Sequence, residues 1–429
     1  MRDPLGSFTR AARELGDVVR LRVGKEDVYL VSHPDLVREV LVTNQRNFKK
    51  GRALERARML LGDGLLTSEG EVHLRQRRMI QPEFHRQHIA GFADAMVALS
   101  HQRAARWTDG TRFDMHHDMS ALALSIAGNT LFGTDVGHEA DDIRDALDAT
   151  FGTFMRTFYM PFGDLVLRLP FPSSRRFWSA SARLEATVFR LIAERRESGE
   201  DKPDLLSLLL RARDTEGDGT GMTDQQVRDE VLTFFLAGHE TTANALTWTW
   251  YLLAQHPEAA DRIAEESRAC GAGPLCADDV VRLPFTRMVL SESMRLFPPA
   301  WTVARRSLGA FSLGPYHLPA GALVILPQWV IHRDPRWWPD PERFDPERWD
   351  PSAAAERPKF AYFPFGGGAR ICIGEHFAWM EGVLVLATIA RHWRFALVPG
   401  ANVTPLPTIT LRPRSGVPMT AHRRAGWDL

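Results

Sequence analysis

The chain has little cysteine, no long apolar run and no excess of charge of either sign. Its 429 residues include three cysteines, an odd number that is too small for a framework of disulfides. Lys plus Arg and Asp plus Glu number 53 each, and no dense basic run indicates a nucleic-acid partner. The first residues form no signal peptide or membrane anchor. We therefore expect a cytoplasmic protein in a reducing compartment, with no membrane anchor and no nucleic-acid partner.

The composition is that of a folded protein, because 44% of the residues are hydrophobic and 25% are charged. Between residues 34 and 297, apolar residues recur every three or four positions, which predicts helices. Strand patterns at 18–24 and 27–31 predict a hairpin, the 316–327 stretch predicts two strands around a Pro-Ala-Gly turn, and 407–413 predicts another strand. We predict a mainly α chain with a small β region (α+β), forming a single domain over residues 1–429.

A capping-box pattern at 223–226 predicts the start of a long helix that runs to about Gln255. The centre of this helix is weak, because Gly238 costs about 1 kcal/mol relative to alanine in a helix interior. Thr241 is a mediocre helix former whose hydroxyl competes for backbone carbonyls. Ala237, Gly238 and Thr241 share one face, on which a broad, flat group would fit closely. The alternatives are packing of this face against another helix and a membrane span, which charged residues in the middle of the segment disfavour.

A glutamate and an arginine three residues apart, Glu292 and Arg295, lie in an apolar helical stretch. A surface pair of this kind would contribute only about 0.2–0.5 kcal/mol. The apolar surroundings instead favour burial, which requires further partners. Residues 329–350 carry a proline every few positions and cannot form a long helix. We expect Arg348 of this segment to supply a second fork-shaped donor to Glu292 and so to hold the segment in place.

The stretch 365–374 places three glycines, Arg370 and Cys372 immediately before a predicted helix. Glycines let the backbone approach a ligand closely, and the helix N-terminus stabilises a thiolate. Zinc is an alternative because His376 lies four residues after Cys372, but no close Cys-Cys pair completes a zinc set. An ordinary structural cysteine is the other alternative.

Together these motifs resemble the cytochrome P-450 family, the haem-thiolate monooxygenases, over nearly the whole chain and in the family's order. The family's haem-ligand signature is matched by Phe365, Gly368, Cys372 and Gly374. Its oxygen-activating helix is matched by Ala237, Gly238, Glu240 and Thr241. Its Glu-x-x-Arg pair is matched by Glu292 and Arg295, and its PERF-type segment by the stretch that contains Arg348. The resemblance implies the mostly helical, triangular cytochrome P-450 fold.

The resemblance also implies haem b (iron protoporphyrin IX), with the Cys372 thiolate as the ligand to the iron. His73, Arg77, Arg305 and Arg370 would then neutralise the haem propionates. Thr241 and Glu240 would be the catalytic residues, with Thr241 relaying protons to the distal oxygen and Glu240 carrying them from solvent. This pair favours an enzyme that depends on O2 and a reductant.

The substrate expected by resemblance is a lipophilic small molecule, such as a terpenoid, polyketide or fatty-acid-like compound of bacterial secondary metabolism. The residues expected to line its site are Leu65, Leu66, Trp301, Thr302, Val303 and Ile409. Residues 154–162 would cover the entrance or serve as plain core.

Electrons are expected from NAD(P)H through separate proteins, a ferredoxin or flavodoxin with its reductase, acting on a monomer. Arg75, Arg78 and Arg370 are candidates for attracting an acidic partner. Two other classes remain open: a haem sensor or carrier without catalysis, and a helical lipid- or ligand-binding protein without haem.

Overall fold

The structure is a computed structural model that describes residues 3–24, 26–133, 171–354 and 356–425, together with positions 150, 167 and 169. The segment 154–162, expected near a substrate entrance, lies outside the described residues.

Helices account for most of the described chain. They are α1 Pro4–Leu15, α2 Pro34–Arg38, α3 Arg52–Leu61, α4 Gly70–Ile80, α5 Arg86–Ala90, α6 Ala93–Ala104, α7 Met115–Phe132, α8 Pro172–Ser198, α9 Leu205–Arg211, α10 Asp224–Leu253, α11 Pro257–Ala269, α12 Pro284–Leu296, α13 Gln328–Ile331, α14 Pro351–Ala354 and α15 Glu375–His392. None of them combines the length and the apolar character needed to cross a membrane.

Twelve short strands are described. They are β1 Val18–Val23, β2 Glu26–Val31, β3 Phe48–Lys50, β4 Arg112–Asp114, β5 Val303–Ser307, β6 Phe311–Leu313, β7 Tyr316–Leu318, β8 Leu323–Leu326, β9 Trp393–Leu397, β10 Pro405–Pro407, β11 Leu411–Pro413 and β12 Pro418–Arg423. The largest sheet has the order β1-β2-β8-β5-β3, a second has the order β4-β12-β9, and β6-β7 and β10-β11 are antiparallel pairs. The predicted mainly α chain with a small β region is confirmed.

The chain divides into two compact units. One comprises residues 1–52, 96–122 and 240–429, and the other comprises 53–95 and 123–239, so the division falls within α10. The single domain over residues 1–429 stays a prediction.

The first unit contains all the sheets of the described residues and two apolar clusters on opposite faces of the largest one. Tyr29 and Val31 of β2 enter one cluster, whereas Leu30 enters the other, as the alternation of side chains along a strand requires. The same alternation separates Val324 from Ile325 in β8.

Several local predictions are confirmed and others are wrong. The 18–31 hairpin forms with Val18 opposite Val31. The two strands of the 316–327 stretch exist, but β7 pairs with β6 and β8 with β2 and β5. The 407–413 stretch is not one strand. Pro407 ends β10 and Leu411–Pro413 forms β11, because the Thr408 amide bonds to the Thr410 carbonyl and closes a turn between them. Ile409 therefore lies in a turn and not in a strand.

The long helix is confirmed, with α10 spanning 30 residues. Its capping box is present, since the Thr223 amide donates to the Gln226 side chain and the Gln226 amide donates to the Thr223 hydroxyl. The helix runs unbroken through Gly238 and Thr241. Strand β4, by contrast, lies in a region whose pattern had predicted helix.

Candidate active site

The cysteine loop is shaped by two glycines in the left-handed region of backbone space. Gly366 has φ 75° and Gly368 has φ 70°, conformations that side chains with a Cβ disfavour. A Cβ at Gly368 would also lie 1.8 Å from the Leu41 carbonyl oxygen, so the loop must pass directly against that backbone. The Cys372 amide donates to the Phe365 carbonyl at 2.9 Å and closes the loop.

Contacts outside the loop fix it further. The Ala369 amide donates to Gln45 Oε1 at 2.7 Å. The Phe365 ring lies 5.6 Å from the ring of Trp379, whose other neighbour is the Arg287 guanidinium at 4.5 Å. The loop is therefore held on both sides by groups of the same unit.

Cys372 is exposed and stands three residues before α15, which begins at Glu375. The N-terminal end of a helix favours the thiolate form of a cysteine. In the part of the chain that the structure describes, no three His, Cys, Asp or Glu side chains gather as a metal site, so zinc finds no support there. An exposed thiol on a pinned, glycine-shaped loop suits a single-thiolate ligand better than an ordinary structural cysteine.

The middle of α10 differs from its flanks. Residues 236–241 are all half-buried, whereas most of the helix on either side is buried. A Cβ added to Gly238 would meet no atom within 4 Å. This face therefore has open space beside it among the described residues, contrary to close packing against another helix.

Glu240 leaves this turn toward the pair of strands β10 and β11. Its Oε1 accepts a hydrogen bond from the Thr410 hydroxyl at 2.7 Å and lies 3.6 Å from Nη2 of Arg412. The Thr410 oxygen in turn accepts from the Asn244 amide at 3.2 Å. The side chain of Glu240 is 18% exposed.

Sequence reasoning missed Glu381, which lies on α15. Burial raises the pKa of its carboxyl from 4.5 to about 8, and a hydrogen bond with Thr242 opposes the rise. Thr242 directly follows Thr241 on α10. A glutamate inside the apolar run of α15 was the available signal.

The Glu292–Arg295 pair is fully buried. Arg295 grips both carboxylate oxygens at 2.7 and 2.8 Å. Its guanidinium also donates to the carbonyls of His332, Pro341 and Arg343 at 2.7 to 3.1 Å, all within or beside the proline-punctuated segment. The expected burial is confirmed.

Arg348 pairs with Glu292 as predicted, but through an ion pair and not through a forked hydrogen bond. Its Nε lies 3.4 Å from Glu292 Oε1, but its Nη2 donates to the Asp340 carbonyl. The Asp345 amide and the Trp349 indole, each at 3.0 Å, make the hydrogen bonds to Glu292 instead. The segment is held as expected, with different donors.

The expected propionate partners occur in both units. In the second unit, α4 carries His73, which is buried, and Arg77, which is half-buried. In the first unit, Arg370 is half-buried, and Arg305 is buried with Nη1 donating to the Ala304 carbonyl.

A further cation was missed. Lys50 of β3 is buried directly opposite Arg305 of β5 in an antiparallel register. Like charges opposite each other destabilise a sheet, so an anion near both would be favourable. The basic pair at 49–50 was the sequence signal.

The residues expected to line a substrate site differ in their environments. Thr302, Val303, Leu66 and Ile409 are half-buried, and Leu65 is buried with its amide donating to Glu230. Trp301 belongs to an apolar cluster, stacks on Phe8 at 6.0 Å and donates its indole N–H to the Thr408 carbonyl. These contacts give Trp301 a packing role.

Two of the arginines considered for partner docking make ion pairs within their own unit. Arg78 bonds to both oxygens of Asp214, at 2.9 and 2.7 Å. Arg75 lies 3.4 Å from the same carboxylate and 3.7 Å from Asp218. Internal acids already offset much of their charge.

Comparisons with known proteins agree with this geometry. The chain matches the family described as Cytochrome P450 over residues 1–417. It is 41% identical over 414 residues to cyclooctatin synthase of Streptomyces melanosporofaciens, covering 96% of this chain and 89% of that protein. It is 37% identical over 414 residues to pentalenene oxygenase of Streptomyces avermitilis, covering 96% and 91%. A crystal structure of the cytochrome P450DA heme domain is similar with a TM-score of 0.89 at 27% identity, covering 98% of this chain and 93% of that one.

The mainly helical fold, similar to that of the cytochrome P450DA heme domain, defines the class of haem proteins. The chain belongs to the cytochrome P450 family. It is a monooxygenase with haem as its cofactor, and of the three classes that the sequence left open, this one is supported.

Proposed function

We propose that Cys372 is the thiolate ligand of the haem iron and that the enzyme hydroxylates a terpenoid. The observation that carries the first part is the exposed thiol on the fixed, glycine-shaped loop before α15. The second part rests on similarity to cyclooctatin synthase, cyclooctat-9-en-7-ol 5-monooxygenase and pentalenene oxygenase.

The groups that would hold the haem are cations and small residues. His73, Arg77, Arg305 and Arg370 would bind the propionates, and the buried Lys50 beside Arg305 would join them. Ala237 and Gly238 would leave room for the flat ring, while Phe365, Gly368 and Gly374 would shape the ligand loop. When bound, haem supplies reductive activation of O2 and insertion of one oxygen atom into a C–H bond.

Two residues of α10 would control protons. The Thr241 hydroxyl would donate toward the oxygen-binding side, and Glu240 would deliver protons to that hydroxyl through water. Since adjacent residues of an α-helix point about 100° apart, Glu240 must turn or use a bridging water to serve Thr241.

The remaining roles follow the same proposal. Leu65, Leu66, Thr302, Val303 and Ile409 would contact a lipophilic substrate. NAD(P)H would supply electrons through a ferredoxin or flavodoxin and its reductase, and the enzyme would act as a cytoplasmic monomer.

The proposal is tested in two steps. The reduced protein with carbon monoxide should show the strongly red-shifted Soret band of thiolate-ligated haem. The protein should then be supplied with NADPH, a ferredoxin and its reductase under ¹⁸O2 with cyclic di- and sesquiterpene olefins and alcohols. One ¹⁸O atom in the product supports the proposal. A red-shifted band with oxidation of fatty acids only would overturn the terpenoid part, and an unshifted band would overturn the thiolate part.

A further inference from the structure

We propose that Thr410 and Arg412, on the β10–β11 hairpin, are positioning residues that hold the Glu240 carboxylate and set its readiness to deliver protons. This inference rests on the proposed role of Glu240. Both contacts are made to the same oxygen, Oε1, and both residues belong to the unit that contains Glu240.

The hydrogen bonds in this network run in one direction. The Asn244 amide can only donate to the Thr410 oxygen, at 3.2 Å. The single hydroxyl hydrogen of Thr410 is then directed at Glu240 Oε1, at 2.7 Å. Asn244 thus fixes the hydroxyl as a donor, and Glu240 is the acceptor at the end of the chain.

Helix geometry explains why the hairpin reaches Glu240 and not Thr241. Residues four apart lie on one side of a helix, so Glu240 and Asn244 face the hairpin together. Thr241 belongs with Ala237 on the neighbouring face. The hairpin therefore binds the proton carrier on a face of α10 adjacent to that of its proposed acceptor.

The charges around the carboxylate single out Arg412. His116 is largely buried beside Arg412, and burial lowers its pKa to about 4, so it is neutral at physiological pH. The charge of Asp114 raises the pKa of His116 and so opposes the effect of burial. The Asp114 carboxylate also accepts hydrogen bonds from the amides of His116 and Val417. Within the described residues, Arg412 is the cation paired with Glu240.

The Glu240 carboxylate is held by few contacts, as is expected of a side chain that moves. Arg412 Nε and Asn244 Oδ1 are buried and have no hydrogen-bond partner among the described residues. The distance from Arg412 to Oε1, 3.6 Å, is that of an ion pair without a hydrogen bond. One good hydrogen bond and one loose ion pair, both at Oε1, hold the carboxylate.

The hairpin also links this grip to the substrate. Ile409, a proposed substrate contact, lies in the turn between Thr408 and Thr410, and the Thr408 amide and hydroxyl both donate to the Thr410 carbonyl. A ligand that displaces Ile409 must therefore strain the residue whose hydroxyl holds Glu240. The proposed substrate contact and the hold on Glu240 therefore share one turn of the chain.

The test compares Thr410→Val, Arg412→Gln and Arg412→Lys with Arg414→Gln as the matched control. Arg414 carries the same charge two residues further on and forms no ion pair with Glu240 among the described contacts. We expect Thr410→Val and Arg412→Gln to lower kcat about fivefold or more and to raise the share of electrons lost as hydrogen peroxide. KM and the substrate-induced spin-state shift should change less than about twofold, Arg412→Lys should recover part of kcat, and Arg414→Gln should match the wild type.

A second readout does not depend on turnover. Amide hydrogen exchange of residues 405–413 should quicken in Glu240→Gln and in Arg412→Gln, because each removes the Glu240–Arg412 ion pair, one of the contacts between the hairpin and α10. In Glu240→Gln, adding Arg412→Gln should give no further loss of kcat. Unchanged exchange in both single variants, an unchanged peroxide share or an additive loss in the double variant would overturn the inference. If amide exchange quickens in the variants but the wild type oxidises no terpenoid, the inference about Thr410 and Arg412 stands and only the proposed substrate is contradicted.

Discussion

Two glutamates of the same unit, Glu292 and Glu240, are held in opposite ways. Glu292 is fully buried, and both of its oxygens accept from Arg295. Its other donors are a backbone amide and an indole. Glu240 is partly exposed, and its hydrogen bond with Thr410 and its ion pair with Arg412 are both made at Oε1.

The difference separates a structural carboxylate from a working one. A buried ion pair with every donor satisfied resists movement, because turning the carboxylate would leave several buried groups unpaired. A carboxylate held by one hydroxyl and a loose cation can turn at the cost of about one hydrogen bond. We infer that the first anchors residues 329–350 and that the second moves protons.

The largest expected effect is on the structural pair. Glu292→Gln leaves the Arg295 cation buried without a counter-charge, which costs about 3–5 kcal/mol of the free energy of unfolding. Chemical denaturation of the haem-loaded protein measures this loss, and Arg336→Gln, at an exposed arginine paired with Asp17 and Asp334, should cost less than about 1 kcal/mol. Similar losses in the two variants would remove the anchoring role.

A third glutamate adds a dependence on pH. The pKa of Glu381 is raised to about 8, so in the folded state it keeps its proton where the unfolded chain has lost it. The stability it provides is complete below about pH 4.5 and is lost as pH rises toward about 8. Glu381→Gln should abolish this loss, on the order of 3 kcal/mol, as seen in denaturation midpoints at pH 5 and pH 8. A variant with the same pH profile as the wild type would show that Glu381 does not bind this proton.

A substitution at Glu240 should have the opposite effect to one at Glu292, with little loss of stability and a large loss of activity. Glu240→Gln is expected to change the free energy of unfolding by less than about 1 kcal/mol, because it removes a partly exposed ion pair. It should lower kcat about tenfold, equivalent to about 1.4 kcal/mol, with KM unchanged. Steady-state kinetics with NADPH and reductase measure this split, and a raised KM with an unchanged kcat would assign Glu240 to substrate binding.

A smaller loss of stability than at Glu292 is expected at Arg348. Arg348→Gln keeps the hydrogen bonds of Asp345 and Trp349 to Glu292, so we expect a loss of about 1 kcal/mol. A loss of unfolding free energy as large as that of Glu292→Gln would indicate that Arg348 binds Glu292 as strongly as the predicted forked donor. Denaturation of the two variants side by side decides this.

The sequence predicted features that depend on local pattern. The capping box of α10, the 18–31 hairpin and the position of Cys372 before α15 follow from residue types at short spacing. Features that depend on distant partners were missed or misassigned. Strand β4 forms only because β12, about 300 residues later, pairs with it.

The same division applies to the site. The residues Glu240 and Thr241 were identifiable from their motif, but the hold on Glu240 comes from Thr410, 170 residues away. Trp301 was expected near substrate because of its place after α12, whereas its contacts with Phe8 and Thr408 come from both ends of the chain. Glu381 was identifiable as a glutamate inside an apolar run, but its raised pKa depends on how α15 packs.

The most direct measurement is the carbon monoxide difference spectrum of the reduced wild type beside that of Cys372→His. The account predicts the red-shifted Soret band in the wild type and its replacement by the band of histidine-ligated haem in the variant, with monooxygenase activity lost. The same red-shifted band and full activity in Cys372→His would contradict the assignment of the thiolate ligand.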